Sequence, residues 1–266
     1  MNRYTKKILI GAIVTAGIGS LLSSCGTESA APQESSFQMT GLLFYDVSAS
    51  IVVIDSTSLR EILSKSVNSM LQNPSDRLLS FYIAAQTCDA NPIVPEIIFP
   101  NQRTAKDNRL AAHALKRANL QRKKFQTQAV SHLMIGLKKV APKAPYTDIH
   151  GILCILMREN DNQVPVKNVT IISDLRHDAH GINITRGFES AHQAKENARN
   201  HAPILKKTIG MADKSLQGIA FRFIVPVTSD NVLQAKSGGY LQEYWTELLS
   251  QMGSSEVTFE TITSKI

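Results

Sequence analysis

Asp46, Ser48 and Ser50 stand at alternate positions in the run Asp46-Val47-Ser48-Ala49-Ser50, directly after an apolar stretch. A carboxylate and two hydroxyls spaced in this way can all face one point as a chain leaves a β-strand, whose side chains alternate with a period of two. A second carboxylate, Asp174, closes another mostly apolar stretch, residues 169–173. Hard divalent cations such as Mg²⁺ or Mn²⁺ take oxygen ligands in an octahedral shell and usually keep several waters. Hydroxyls and nearby carboxylates suit such an ion. The competing interpretation is that these side chains only cap helices and close turns, as Asp and Ser commonly do.

The elements that must position these groups follow from the periodicity of the chain. Residues 41–46 (GLLFYD) form a short apolar run containing Phe and Tyr, which predicts a buried strand ending at Asp46. Leu59, Ile62, Leu63, Ser66, Val67, Met70 and Leu71 share one helical face, with Ser58 and Glu61 as a capping box and Asn73-Pro74 as the stop. Residues 78–85 and 94–99 read as two strands joined closely enough to pair antiparallel. Residues 104–140 predict a long basic helix, capped by Thr104 and Asp107 and ended by Pro142 and Pro145. Its buried stripe is Leu110, Ala114, Leu115, Ala118, Phe125, Ala129 and Leu133.

After it the pattern predicts a helix over 148–157 and a strand over 169–173, then helical sequence over 188–214 broken near Pro203. A strand over 219–225, a helix over 239–252 with Tyr244 and Trp245 in the core, and a strand over 257–262 complete the chain. This alternation predicts an α/β fold: a Rossmann-like open, mostly parallel sheet with one antiparallel edge strand and helices on both faces. Binding sites in such sheets form beyond the carboxyl ends of the strands, at the topological switch point. Asp46 and Asp174 are expected there.

The pattern resembles the metal-ion-dependent adhesion site of von Willebrand factor type A domains. That family carries Asp-x-Ser-x-Ser after its first strand, a Thr on a later loop, and an Asp ending its fourth strand. Asp46, Ser48 and Ser50 match the first part; Thr147 in YTDIHGIL, with Gly151 and Leu153 behind it, matches the second; Asp174 in VTIISDLRHD matches the third. The resemblance covers residues 39–266. It implies that Asp46, Ser48, Ser50, Thr147 and Asp174 hold Mg²⁺ or Mn²⁺, and that the ion bridges to an acidic side chain of a protein partner. Catalysis is not implied. There are two departures: the apolar residues 51–54 (IVVI) follow the serines where many members begin a helix, and Leu175 follows Asp174 where the family often has Gly.

The start of the chain has a different logic. Arg3, Lys6 and Lys7 precede an apolar stretch over residues 8–22, and small residues lead to Cys25. This is the layout of a secretory signal segment, too short for a comfortable membrane span. Leu22-Ser23-Ser24-Cys25 resembles the lipobox of bacterial lipoproteins, which makes residues 1–24 a signal peptide and Cys25 the lipid-bearing first mature residue. An ordinary signal peptide cut nearby, or an uncleaved anchor, is the alternative. Residues 25–38 then read as a flexible tether and 39–266 as the domain. The resemblance places the protein in a bacterial cell envelope, held by its lipid. Gly26, in place of Asp, favours the outer membrane where there is one.

Three of the 29 basic residues lie in the signal segment, so with 22 acids the mature chain carries a formal +4. Eight of its basic residues fall within 103–124, against the single acid Asp107. An anionic bilayer could draw such a segment, but a solvated helix face is its usual fate. The compartment, and the lack of aromatics among these charges apart from Phe125, argue against nucleic acid. His177-Asp178-Ala179-His180 reads as a solvated loop rather than a zinc cluster. Cys88 and Cys154 are either a disulfide or two free thiols, because sequence does not place their Cα atoms.

No nucleophile elbow or phosphate-binding glycine loop is present. A Mg²⁺-dependent phosphohydrolase of the envelope is the enzymatic alternative, although Ser48 stands where such enzymes usually place a second aspartate. A metal-free envelope scaffold is the third.

Overall fold

The computed structural model describes residues 39–48, 54–73, 75–100, 108–139, 147–160, 165–179, 181–228 and 240–264. All belong to one compact unit, Ser35–Ile266. The signal segment, Cys25, the tether, Ser50, residues 51–53, Pro74, Thr104, Asp107, Pro142, Pro145, His180 and Gly239 lie outside the described residues, as do the side chains of Leu110, Ala114 and Leu115. No described helix is long and apolar enough to cross a membrane.

The strands are β1 (Thr40–Asp46), β2 (Arg77–Ile83), β3 (Ile97–Ile98), β4 (Val166–Ile172), β5 (Asp178–Ala179), β6 (Ile182–Asn183), β7 (Ala220–Thr228) and β8 (Glu256–Ser264). The helices are α1 (Ser56–Met70), α2 (Asn108–Lys138), α3 (Gly151–Asn160), α4 (Ala191–Ile209) and α5 (Leu241–Gln251). Six strands make one sheet in the order β3-β2-β1-β4-β7-β8, and β5 with β6 makes a separate ladder. Only β3 runs antiparallel in the large sheet. The predicted α/β class, with its mostly parallel sheet and antiparallel edge, is the observed one.

A parallel sheet must be covered on both faces, and β1 shows how the sequence achieves it. Leu42 and Phe44 point into a core built with α3, α4 and α5, whereas Leu43 points into one built with α1 and α2. Phe44 pairs in register with Phe81, their rings stacked with centroids 5.6 Å apart. Gly41 lets α1 lie close, since a Cβ there would meet Met70 Cγ at 2.6 Å.

Local details correct the periodicity reading in four places. Helix α1 starts at Ser56, capped by the Asp55 carboxylate, which accepts from the Thr57 and Ser58 N–H groups at 3.0 Å each. That charged acceptor displaces the Ser58–Glu61 capping box. The expected strand over 94–99 shrinks to Ile97–Ile98, and the preceding residues form a 3₁₀ turn, Thr87–Asp89, with one bridge between Phe81 and Pro92. Pro92 and Pro95 have no N–H to give a ladder. Helix α3 starts at Gly151, with Asp148 outside it.

Finally, α4 runs unbroken through Pro203. Its inner face, Ala194, Ala198, Ala202 and Leu205, is buried while Pro203 is exposed, so packing carries the helix past the missing hydrogen bond. Ser190 caps its start, accepting from the Gln193 N–H at 3.1 Å, and Gly210 ends it in the left-handed region at φ 67°.

Candidate functional site

From β1 the sheet grows one way through β2 and β3 and the other way through β4, β7 and β8. The loops leaving β1 and β4 therefore diverge, which makes their carboxyl ends the switch point. Asp46 is the last residue of β1, and Ser173 and Asp174 directly follow β4. Asp46 is wholly buried. Its Oδ1 accepts from the Ser48 N–H at 2.8 Å and its Oδ2 from the Ser173 hydroxyl at 2.8 Å. Ser173 is itself fixed, its N–H donating to the Ile224 carbonyl at 3.1 Å and its Oγ accepting from the Leu175 N–H at 3.2 Å.

Burial pushes the Asp46 carboxyl up to about 6, and the nearby charge of Asp174 adds to the rise, against the lowering effect of the Ser48 and Ser173 hydrogen bonds. The two aspartates are thus close enough to repel. Asp174 Oδ1 accepts from the Arg176 N–H at 3.1 Å, and the half-exposed Arg176 guanidinium lies 3.8 Å from its Oδ2. Leu175, between them, has φ 67°, in the left-handed region that favours glycine. The strain is held by packing: the Leu175 side chain is buried and its carbonyl accepts from Trp245 Nε1 at 2.9 Å.

Two further loops hang from the end of β2. The Val47 N–H donates to the Ile83 carbonyl at 3.1 Å and the Asp148 N–H to the Ala84 carbonyl at 2.9 Å, which sets the Thr147 loop beside the exit of β1. Ser48 and Thr147 are both buried. The buried Asp148 carboxylate joins two elements, with Oδ1 accepting from the Gly151 N–H at 2.8 Å and Oδ2 from the Thr87 N–H at 3.1 Å. A side chain at residue 151 would collide with Asp148 Oδ2, so glycine is required there.

His177 is fully buried and ties the Thr147 loop to the β4 exit. Its Nδ1 accepts from the Ile149 N–H at 3.1 Å, so the ring carries its proton on Nε2, 3.1 Å from the Ala179 carbonyl. The Asp178 N–H donates to the Thr147 carbonyl at 2.9 Å. The reading of a solvated loop is therefore corrected for residues 177–179: His177 is a core residue, and Asp178–Ala179 pairs with Ile182–Asn183. The cause is aromatic packing, since the His177 ring lies 3.8 Å from that of His150, which lies 5.2 Å from Trp245.

Of the five expected ligands, Asp46, Ser48 and Asp174 meet at the switch point, Thr147 stands in the adjoining loop, and Ser50 falls outside the described residues. Sequence reasoning missed Ser173 and Asp148. Ser173 breaks an apolar run directly before Asp174, and Asp148 precedes Gly151 at capping distance; both are signals of a backbone acceptor. Among the described residues no group of three or more His, Cys, Asp or Glu is placed to hold a metal. The groups these residues offer, two carboxylates and the Ser48 and Thr147 hydroxyls, are all oxygen and suit a hard cation rather than zinc.

No family model matches the chain, and no curated protein matches it. Among solved structures it is similar to a von Willebrand factor type A protein from Catenulispora acidiphila, at 10% identity and a TM-score of 0.41 over 85% of this chain. It is also similar to the human COPII-coat protein Sec24c, at 9% identity and a TM-score of 0.41 over 86% of this chain. The matches span 39% and 30% of those two chains. Likeness this faint carries no assignment of function, and the fold stands on its own strand order and direction.

Proposed function

We propose that this chain is a lipid-anchored bacterial envelope protein whose domain binds a protein partner through Mg²⁺ or Mn²⁺. The observation that supports the metal most directly is Asp46. A wholly buried carboxylate beside a second one, with its pKa pushed up to about 6, is a negative charge short of compensation. Asp46, Ser48, Ser50, Thr147 and Asp174 would hold the ion.

When bound, the ion supplies an oxygen-seeking position that an acidic side chain of the partner can fill. The chain's own residues do the positioning. The Ser48 N–H and Ser173 hydroxyl orient Asp46, Asp148 sets the loop carrying Thr147, and His177 ties that loop to the β4 exit. Anchoring rests on the run 22–25 and the apolar stretch before it.

The test is the melting temperature of the protein lacking residues 1–24, with divalent ions and then chelator. Mg²⁺ or Mn²⁺ raises it, chelator reverses the rise, and Asp46→Ala abolishes the response together with chelator-sensitive capture of the partner from solubilised membranes. Absence of a shift with any divalent ion would end the metal reading in favour of a scaffold. Turnover of a simple phosphoester that disappears in Asp46→Ala would replace partner binding with hydrolysis. Cys25→Ser moves the protein out of the membrane fraction and stops acyl labelling; unchanged labelling removes the anchor.

A further inference from the structure

Cys88 lies in the 3₁₀ turn after β2 and Cys154 in the first turn of α3. Asp148 draws these elements together, one carboxylate oxygen on the Thr87 N–H and the other on the Gly151 N–H. The approach is close: a Cβ on Gly151 would lie 2.9 Å from the Cys88 nitrogen. Cys154 follows Gly151 by three residues, so it stands on the neighbouring part of the same helix face. Both cysteines are half-buried thiols, and Cys88 is close enough to Cys154 to influence its ionisation. We propose that Cys88 and Cys154 are a disulfide-forming pair that locks the turn after β2 onto α3 when the protein meets an oxidising thiol–disulfide couple. The bond joins elements that Asp148 already holds and does not depend on the metal reading.

The order of the exchange follows from the environment of Cys154. Burial pushes the Cys154 thiol up to about 12, and the proximity of Cys88 and the charge of Asp148 add to the rise. Cys154 is therefore the poorer first nucleophile. The Cys88 thiolate attacks one sulfur of an external disulfide, such as oxidised glutathione or the disulfide of an oxidoreductase. A mixed disulfide forms, the external S–S bond breaks, and one external thiol leaves with a proton. Cys154 then gives its proton to solvent and attacks Cys88 Sγ, releasing the second external thiol. The protein loses two hydrogens, and the external disulfide is reduced to two thiols.

The experiment uses the chain lacking residues 1–24 with Cys25→Ser, in chelator, equilibrated with reduced and oxidised glutathione. Intact mass without reductant should show the loss of two hydrogens and no glutathione adduct. The oxidised form should melt about 10 °C above the reduced form, because the bond closes a loop of roughly 65 residues in the unfolded chain. Cys88→Ala, and separately Cys154→Ala, should lose both the mass change and the rise; either variant suffices if the other fails to fold. Two free thiols at oxidising ratios, or one glutathione on each sulfur, would overturn the proposal.

Discussion

Asp46 and Asp76 are both wholly buried aspartates, one at the carboxyl end of β1 and the other just before the amino end of the neighbouring β2. Asp76 closes a local turn. Its Oδ2 accepts from the Gln72 N–H at 2.9 Å and the Asn73 N–H at 2.6 Å, and its carbonyl accepts from the Phe99 N–H at 2.7 Å. Its Oδ1 has no hydrogen-bond partner among the described residues. Arg77 beside it reaches Glu96 and, at 3.7 Å, Glu159. Asp46 instead takes a hydroxyl from Ser173, 127 positions away in sequence, and faces the charge of Asp174. Strand direction makes the difference. At the amino end the chain arrives from α1 and a carboxylate stitches the entry; at the carboxyl end of the switch-point strand, loops diverge and a buried carboxylate is left beside a second one.

The contrast breaks most visibly on substitution. Asp76→Ala removes a charged acceptor from two backbone N–H groups, and hydrogen bonds to charged groups contribute about 1.5–3 kcal/mol each. A loss of about 4 kcal/mol is expected by denaturant titration in chelator, whereas Asp46→Ala should lose much less, because removing its buried charge offsets its two lost hydrogen bonds. Equal losses at the two positions would show that both ends are merely structural. The response to metal sharpens the same point. At a hundredfold excess over Kd a ligand confined to the folded state adds about 2.7 kcal/mol. Asp76→Ala should retain that increment, measured as a shift of its own lowered melting temperature, and Asp46→Ala should lose it.

Much of this contrast was legible in the chain itself. Asp46 and Asp174 each end an apolar run, and alternation alone placed them beyond the strands of a mostly parallel sheet. Leu175, which stands where glycine would be expected from the resemblance, adopts the left-handed φ of 67° that glycine accepts freely. What stayed hidden was long-range. No local pattern says that Ser173 will reach Asp46, or that His177 will leave its polar neighbours for an aromatic core. Each depends on which segments the topology makes adjacent, and periodicity reports faces but not neighbours.

A neutral isostere turns the comparison into a pH dependence. The Asp46 carboxyl is pushed up from 3.8 to about 6 in the folded protein. Its contribution to stability is therefore fully present below about pH 4 and is lost as pH rises through about 6. At 1.36 kcal/mol per unit the loss is bounded near 3 kcal/mol. Asp46→Asn escapes it while one of its side-chain hydrogen bonds weakens, so a gain of about 2 kcal/mol is expected in chelator at pH 7.5, shrinking toward pH 4. A gain that does not vary with pH would place its origin elsewhere than in the buried charge.

The smallest expected effect comes from the opposite behaviour of His201. Its Nδ1 lies 3.0 Å from the Tyr244 hydroxyl, which is in turn 3.3 Å from His150 Nε2, and burial pushes the His201 pKa below 6.5. As pH falls below 6.5 the unfolded chain takes up a proton before the folded one does, so this ring makes the protein less stable over the same acid range in which Asp46 makes it more stable. The two slopes partly cancel in the wild type, which would hide both. Melting Asp46→Asn between pH 7.5 and 5.5 in chelator removes one of them, and stability should then fall with acid. Adding His201→Gln, whose amide can still meet the Tyr244 hydroxyl, should flatten that fall without changing the value at pH 7.5. The change is modest because the ring is only half-buried and water softens the cost of its charge. An unchanged slope in the double variant would remove His201 as the source of the fall.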